Sequence, residues 1–415
     1  MTSSKKSNLG STQPFIALLS IFLICLSGCG GTAATSTAST PIAPPVTSPV
    51  AVNNSAAVTA GGGPTGIVDG LYTSVTLCTP GTSSCATING VLVDTGSTGL
   101  RILSSALPSG LPLPQQTDAK NNPVGECFPF VSGSTWGPVH TVDMQIAGEK
   151  ASSFPMQIIG DETFAAIPTS CSSNGPTMQS LADLGANGIL GIGNFKADCG
   201  PACAAESSIG IYFSCPSTGC QEITQPIAEQ LPNPVSPFAT DNNGVIIELP
   251  SVNAEGVVSA NGELIFGIGT QSNNALGSAS VLTLNGNGDF TTSFQGKTFT
   301  NSFVDTGSNA LFFLNSASTG IPACKDVTFF YCPTSTDPLS ATNQGQNGVS
   351  TAINMNVANA DSLLSSSSPN FLFNNLAGPG SENFDWGLPF FLGRNVFIGF
   401  EGENISGNAG PFTAY

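Results

Sequence analysis

The sequence predicts an all-β protein of two lobes, and three observations carry that expectation. The first is a repeated turn. Residues 91–103 read V-L-V-D-T-G-S-T-G-L-R-I-L, and residues 303–313 read F-V-D-T-G-S-N-A-L-F-F. In each copy an apolar run ends in Asp-Thr-Gly-Ser and a second apolar run follows. Thr favours the strand, and Gly lets another backbone come close. The repeat points to an internal duplication in which each half supplies one carboxylate, Asp94 and Asp305. The second observation is punctuation: short apolar runs are broken by Gly, Pro, Asn and Ser, in a chain with 48 Gly and 30 Pro. The third is that no long segment carries the apolar period of a helix. A length of 415 residues is enough for two lobes, each burying its own core.

Taken in order, residues 67–77 and 86–93 read as strands leading into the first Asp turn. Residues 104–129 are Pro-rich and read as irregular. Residues 130–159 read as a hairpin pair, with one turn near 132–137 and the next at Ala147-Gly148-Glu149. Residues 185–193 form an apolar, glycine-dense strand, where Gly permits close backbone approach. Residues 199–220 read as a disulfide-rich loop, and 245–249 and 263–269 as further strands. The second half repeats the plan. It has strands at 281–284 and 297–304, the second Asp turn, a low-complexity Ser/Asn/Gly stretch at 334–370, and apolar runs at 386–393 and 395–400.

The N-terminus reads as a targeting segment. Lys5 and Lys6 precede an apolar run over 15–26 that is short for a membrane span. Leu26-Ser27-Gly28-Cys29 resembles a bacterial lipoprotein box, which implies cleavage before Cys29 and lipidation of that cysteine; an ordinary secretory signal is the other reading. Gly30, not Asp, after the cysteine resembles an outer-membrane address. Residues 1–28 are thus the expected signal and 29–64 a lipid-anchored flexible tether, since 30–64 hold almost no large apolar side chain. The expected lobes are 65–270 and 271–415. The expected location is the cell envelope, with the membrane met only through the lipid. A formal charge of −17 argues against nucleic acid as a partner. A monomer is expected.

Of 12 cysteines, Cys25 and Cys29 fall in the signal and anchor. The rest are an even set in an exported chain, so disulfides are the default. Short separations suggest Cys78–Cys85 and Cys324–Cys332, with Cys127–Cys171 as a longer clasp. Cys199, Cys203, Cys215 and Cys220 pair in an order the sequence leaves open. Their spacing also allows a zinc knuckle, but an oxidising compartment and the lack of a nearby His favour disulfides, so no metal and no cofactor is expected.

The chain resembles the pepsin-like aspartic peptidases. The two Asp-Thr-Gly-Ser turns carry the likeness. Gly188-Ile189-Leu190-Gly191 also looks like that family's apolar-apolar-Gly strand behind the first catalytic loop, and Phe391-Leu392-Gly393 looks like its second-lobe counterpart. Residues 262–269 are similar to the strand joining the lobes. The resemblance implies a bilobal acid-protease fold, two β-barrel-like lobes with a cleft between them. It also implies an aspartic endopeptidase that uses Asp94 and Asp305 to cut a peptide or protein substrate. Thr95 and Thr306 would hydrogen-bond across the lobes, Gly96 and Gly307 would present backbone N–H groups, and Ser97 and Ser308 would bond the outer carboxylate oxygens. A flap over the cleft would be built on Phe130 or, better, Trp136, which precedes Gly137. Two departures stand out. Arg101 occupies the place where the family carries a flap-bracing Trp, and Arg394 replaces an acid.

The chemistry follows from the residues themselves. Two adjacent carboxyls cannot both ionise easily, so they share a proton and offer an acid and a base at once. Other hydrolases fit poorly. There is one histidine, His140, with no G-x-S-x-G elbow to serve and no H-E-x-x-H. A non-catalytic binding or structural lipoprotein of the same fold is the alternative.

Overall fold

A computed structural model describes residues 53–415 apart from Asn174, Asp326, Ser366 and Glu382. The expected signal, Cys29 and the tether up to residue 52 lie outside the described residues. The chain is built from short strands, and among the described residues no helix exceeds five residues. None is long and apolar enough to cross a membrane.

The first lobe begins with β1 (Ser55–Gly61), β2 (Gly70–Cys78), β3 (Cys85–Asp94) and β4 (Thr98–Leu103). There follow β5 (Val124–Phe130), β6 (Gly133–Ile146), β7 (Glu149–Ile159) and β8 (Gly188–Ile192). Neighbours run β6-β7-β4-β8-β3-β2, and β2 pairs again with β6, so six strands close into a barrel. Closure leaves no sheet edge. The barrel interior is apolar, with Val91, Val93, Leu100, Ile102 and Leu190 all buried. Two short strands, β9 (Tyr212–Ser214) and β10 (Gln221–Glu222), extend the sheet beyond β5.

Next come β11 (Gly244–Leu249), β12 (Ser259–Phe266) and β13 (Val281–Thr283). The second lobe holds β14 (Phe290–Phe294), β15 (Lys297–Val304), β16 (Leu311–Phe313), β17 (Asp337–Gln344), β18 (Ser350–Val357), β19 (Ala377–Pro379) and β20 (Phe384–Trp386). These seven make one open sheet in the order β18-β17-β14-β15-β20-β16-β19. Its core is aromatic: Phe384 stacks on Phe313 at 5.2 Å and meets Phe294 edge-on at 5.4 Å. The chain ends in β21 (Arg394–Gly399), β22 (Asn404–Ile405), β23 (Asn408–Ala409) and β24 (Phe412–Ala414). Strands from the start, middle and end of the chain then share one surface, in the order β1-β12-β11-β21-β24-β13. This shared sheet ties the lobes together.

Three expectations change. Residues 55–61, assigned by composition to the tether, form β1. It pairs with β12 along its whole length and with β2 at one end, and Ala56, Val58 and Ala60 point into the core. Small side chains suffice there because the neighbouring strands supply the backbone partners. The irregular stretch at 104–129 ends in β5. The low-complexity stretch at 334–370 contains the β17–β18 hairpin. Its period-2 pattern was masked because Asn343 holds a core position; its amide oxygen accepts from Thr292 Oγ1 at 2.8 Å and its nitrogen donates to Tyr415 at 3.0 Å.

All five expected or permitted cysteine clasps form: Cys78–Cys85, Cys127–Cys171, Cys199–Cys203, Cys215–Cys220 and Cys324–Cys332. The four whose order was open pair with their nearest neighbours, which leaves no thiolate there for zinc.

A chain starting at Asn53 keeps β1 and is the reference for its loss. One starting at Gly62 lacks β1, exposes the edges of β2 and β12, and should lose more than about 3 kcal/mol in urea unfolding.

Candidate active site

Asp94 ends β3 and Asp305 follows β15, so each carboxyl is carried on a buried strand end. The turn after each Asp is closed by the same short bonds. Gly96 N–H donates to Asp94 Oδ1 at 2.8 Å, and Ser97 Oγ donates to Asp94 Oδ2 at 2.5 Å. Gly307 N–H donates to Asp305 Oδ1 at 2.7 Å, and Ser308 Oγ lies 3.1 Å from Asp305 Oδ2. A Cβ on Gly96 would sit 2.5 Å from the Asp305 carboxyl carbon, so glycine is required where the two loops touch.

The loops are locked to each other by a reciprocal pair. Thr95 N–H donates to Thr306 Oγ1 at 3.1 Å, and Thr306 N–H donates to Thr95 Oγ1 at 3.0 Å. Thr306 Oγ1 donates onward to the Val93 carbonyl at 2.7 Å. Both aspartates have no measurable solvent exposure. Burial pushes the Asp94 carboxyl well above the usual carboxylate range, and the Asp305 charge adds to this. The Ser97 hydroxyl and Gly96 N–H only partly offset it.

Behind each loop runs a threading strand. In the first lobe β8 pairs parallel with β3 and antiparallel with β4, and places Gly191 opposite Asp94. A Cβ on Gly191 would meet Ser97 Oγ at 2.8 Å. In the second lobe the strand in this role is β20, parallel to β15 and antiparallel to β16. The glycine is Gly387, whose added Cβ would lie 2.1 Å from the Ala310 carbonyl oxygen. The resemblance placed this role on Phe391-Leu392-Gly393, and the register corrects it. Those residues end a short helix and enter β21, in the shared sheet. The sequence reading missed β20 because an acid, Asp385, stands where an apolar residue was sought.

The flap candidates are also corrected. The β5–β6 hairpin is present, but Phe130 and Trp136 are each only 1% exposed. Trp136 packs edge-on against Phe213 at 5.2 Å, beside the Cys127–Cys171 disulfide, and its Nε1 donates to the Phe164 carbonyl at 2.8 Å. Both are core residues, drawn in by their large apolar area. Val131 stands out at the hairpin turn instead, 62% exposed. His140 lies elsewhere, its Nδ1 2.8 Å from the Leu113 carbonyl.

Arg101 explains how the hairpin is held. Fully buried on β4, it grips Glu126 of β5 with two bonds, Nη2 to Oε1 at 2.6 Å and Nε to Oε2 at 3.2 Å. Its Nη2 also reaches Asp198 at 3.2 Å, and its guanidinium lies 3.7 Å over the Phe128 ring. Tyr212 donates to Asp198 at 2.8 Å. Burial alone would weaken the Arg101 charge, but Glu126 and Asp198 hold its pKa above the ordinary value. An ion pair thus ties β4 to β5 at the position where the resemblance placed an aromatic ring. Neither Glu126 nor Asp198 was singled out by sequence, because nothing local marks a partner so distant along the chain.

Two β lobes joined by a shared sheet, with an Asp-Thr-Gly-Ser loop from each meeting at their junction, define a pepsin-like fold. Among solved structures, an aspartic proteinase from Irpex lacteus is similar, with a TM-score of 0.52 and 14% identity over 87% of this chain and 96% of that one. At that identity the likeness shows the fold alone. The chain belongs to the family described as "Protein of unknown function (DUF3443)", whose model matches residues 49–415. No curated protein matches the sequence.

Two predictions follow from these buried charges. Burial and the neighbouring charge make the folded dyad hold its proton more tightly than the unfolded chain does, so the pair contributes stability at low pH that is lost as pH rises through the raised value. Asp94→Asn should therefore melt above wild type at pH 7, with the difference shrinking toward zero near pH 3. Arg101→Met leaves the buried acids of this cluster without their cation and should cost about 3–5 kcal/mol in denaturant unfolding at pH 7, and less at pH 4, since burial already favours the protonated form of Asp198.

Proposed function

We propose that the protein is an aspartic-type endopeptidase, tethered to the cell envelope through lipid on Cys29. The observation that carries the catalytic reading is the paired loop geometry. Two carboxyls meet on loops locked by reciprocal threonine bonds, each held by its own glycine N–H and serine hydroxyl. In this reading the dyad holds one proton. The ionised member takes a proton from a water as it attacks the peptide carbonyl, and the protonated member donates to the carbonyl oxygen. The raised Asp94 pKa supports proton sharing. Because both carboxyls are buried, substrate has to gain access to them, and exclusion of water there then strengthens the electrostatic contacts at the reacting centre. The substrate is a peptide or protein chain, and no cofactor takes part.

The test is cleavage of a mixed peptide library across acidic pH. Wild type should show a bell-shaped profile, falling where both carboxyls are protonated and again where both are charged. Asp94→Asn and Asp305→Asn should each lose at least about a thousandfold in kcat while remaining folded, and the double variant should lose little more, because the pair acts as a unit. A statine-type transition-state mimic should raise the wild-type Tm. Cleavage by either single variant at the wild-type rate would reject the dyad. Peptide binding without cleavage at any pH would make the protein a binding lipoprotein.

A further inference from the structure

The two lobes serve their aspartates unequally, and the difference lies in one residue. In the first lobe, β8 places Ile189 opposite Leu92, just before the strand end that carries Asp94. In the second, β20 places Asp385 opposite Phe303 in the matching position. Asp385 is 7% exposed, and its Oδ2 lies 2.6 Å from Ser308 Oγ. The same hydroxyl lies 3.1 Å from Asp305 Oδ2. Ser308 therefore faces two carboxyl groups and is nearer the one outside the dyad.

A serine hydroxyl carries one proton and can donate it to one of them at a time. When Asp385 is ionised, Ser308 donates to Asp385, and Asp305 is left beside a second negative charge. Both effects favour keeping the dyad's proton on Asp305. When Asp385 is protonated, its own O–H donates to Ser308 Oγ, and Ser308 donates on to Asp305, which favours an ionised Asp305. Ser97 meets no such choice, since it donates to Asp94 at 2.5 Å. The two states differ by the one proton on Asp385 and by the direction in which the Ser308 O–H points.

We propose that Asp385 is a third carboxyl of the site, a positioning residue that acts through Ser308 to hold the shared proton on Asp305 and leave Asp94 as the base. Asp305 is the acid that shares the Ser308 hydroxyl with Asp385. Strand β16 carries no titratable group, and β15 carries only Lys297, at its far end. Asp289 precedes β14, whose Thr292 Oγ1 accepts from Trp386 Nε1 at 3.4 Å.

The kinetic form of this inference rests on the peptidase reading, so the test has two readouts. The first is the pH–rate profile of peptide cleavage. Removing a like charge near Asp305 lowers the pH at which the dyad loses its single proton. Asp385→Asn and the smaller Asp385→Ser should each move the alkaline limb to lower pH by about one unit or more, whatever their plateau rates. Ser308→Ala retains the Asp385 charge and should not move that limb downward. The second readout needs no turnover. In protein labelled with carbon-13 at the aspartate carboxyls, the Asp305 resonance, assigned by its loss in Asp305→Asn, should titrate at lower pH in Asp385→Asn than in wild type. A folded Asp385 variant in which neither limb nor resonance moves overturns the inference and leaves the peptidase reading standing. An inert wild type whose Asp305 resonance still shifts in Asp385→Asn overturns the peptidase reading and upholds the coupling.

Discussion

The constraint on which the rest depends is the burial of two like-charged groups against each other. A carboxylate removed from water is costly unless donors surround it, and a second one beside it raises the cost. The fold meets this with local donors and with rigidity. Each aspartate receives a backbone N–H from a glycine two residues on and faces a serine three residues on. The Thr95–Thr306 exchange holds the two loops in register, and the glycines of β8 and beyond β20 let a strand pass directly beneath each loop. The shared sheet then prevents the lobes from parting, because its strands come from both ends of the chain and its middle.

A second buried charge cluster is built differently. Arg101 sits between Glu126 and Asp198, and every member is enclosed. Such a pair adds little net stability compared with apolar packing, but a bidentate fork fixes orientation in a way an aromatic contact does not. It also ties β4, which leads away from the first Asp loop, to β5 of the hairpin. The Cys127–Cys171 disulfide lies one residue along from Glu126, and the Ser134 N–H donates to the Pro176 carbonyl at 2.9 Å. The hairpin is therefore pinned on both of its strands, and Val131 at its turn is left exposed.

Much of this was legible in the sequence, for a physical reason in each case. The two loops stood out because tight turns after buried strands restrict residue choice strongly, and the chain spells the same solution twice. Short cysteine separations found two of the clasps for the same reason. What escaped depends on partners far away in sequence. Trp136 looked like a flap tip because it precedes a glycine, yet the pocket made by Phe213 and Phe164 claims it. Strand β1 looked like linker because its own residues are small, and its stability comes from β2 and β12. Asp385 hid strand β20 by breaking the apolar pattern at the position where it faces Ser308.

The buried acids also bias the fold toward one range of pH. Burial raises the carboxyls of Asp69 and Asp198 as well as Asp94 well above the usual range. For each, the folded state prefers the proton more than the unfolded chain does, so each contributes stability at low pH that is lost as pH rises through the raised value. Asp118 and Asp143 work the other way. Hydrogen bonds hold Asp118 at about 2, and Lys150 with two backbone N–H groups holds Asp143 below its ordinary value despite its burial. Their contributions are lost only as pH falls through those lower values. Between these limits lies an acidic window in which both sets favour the native state. A dyad that needs one proton between two carboxyls is best populated in the same window, so the chemistry proposed for the site and the electrostatics of the fold around it point in the same direction.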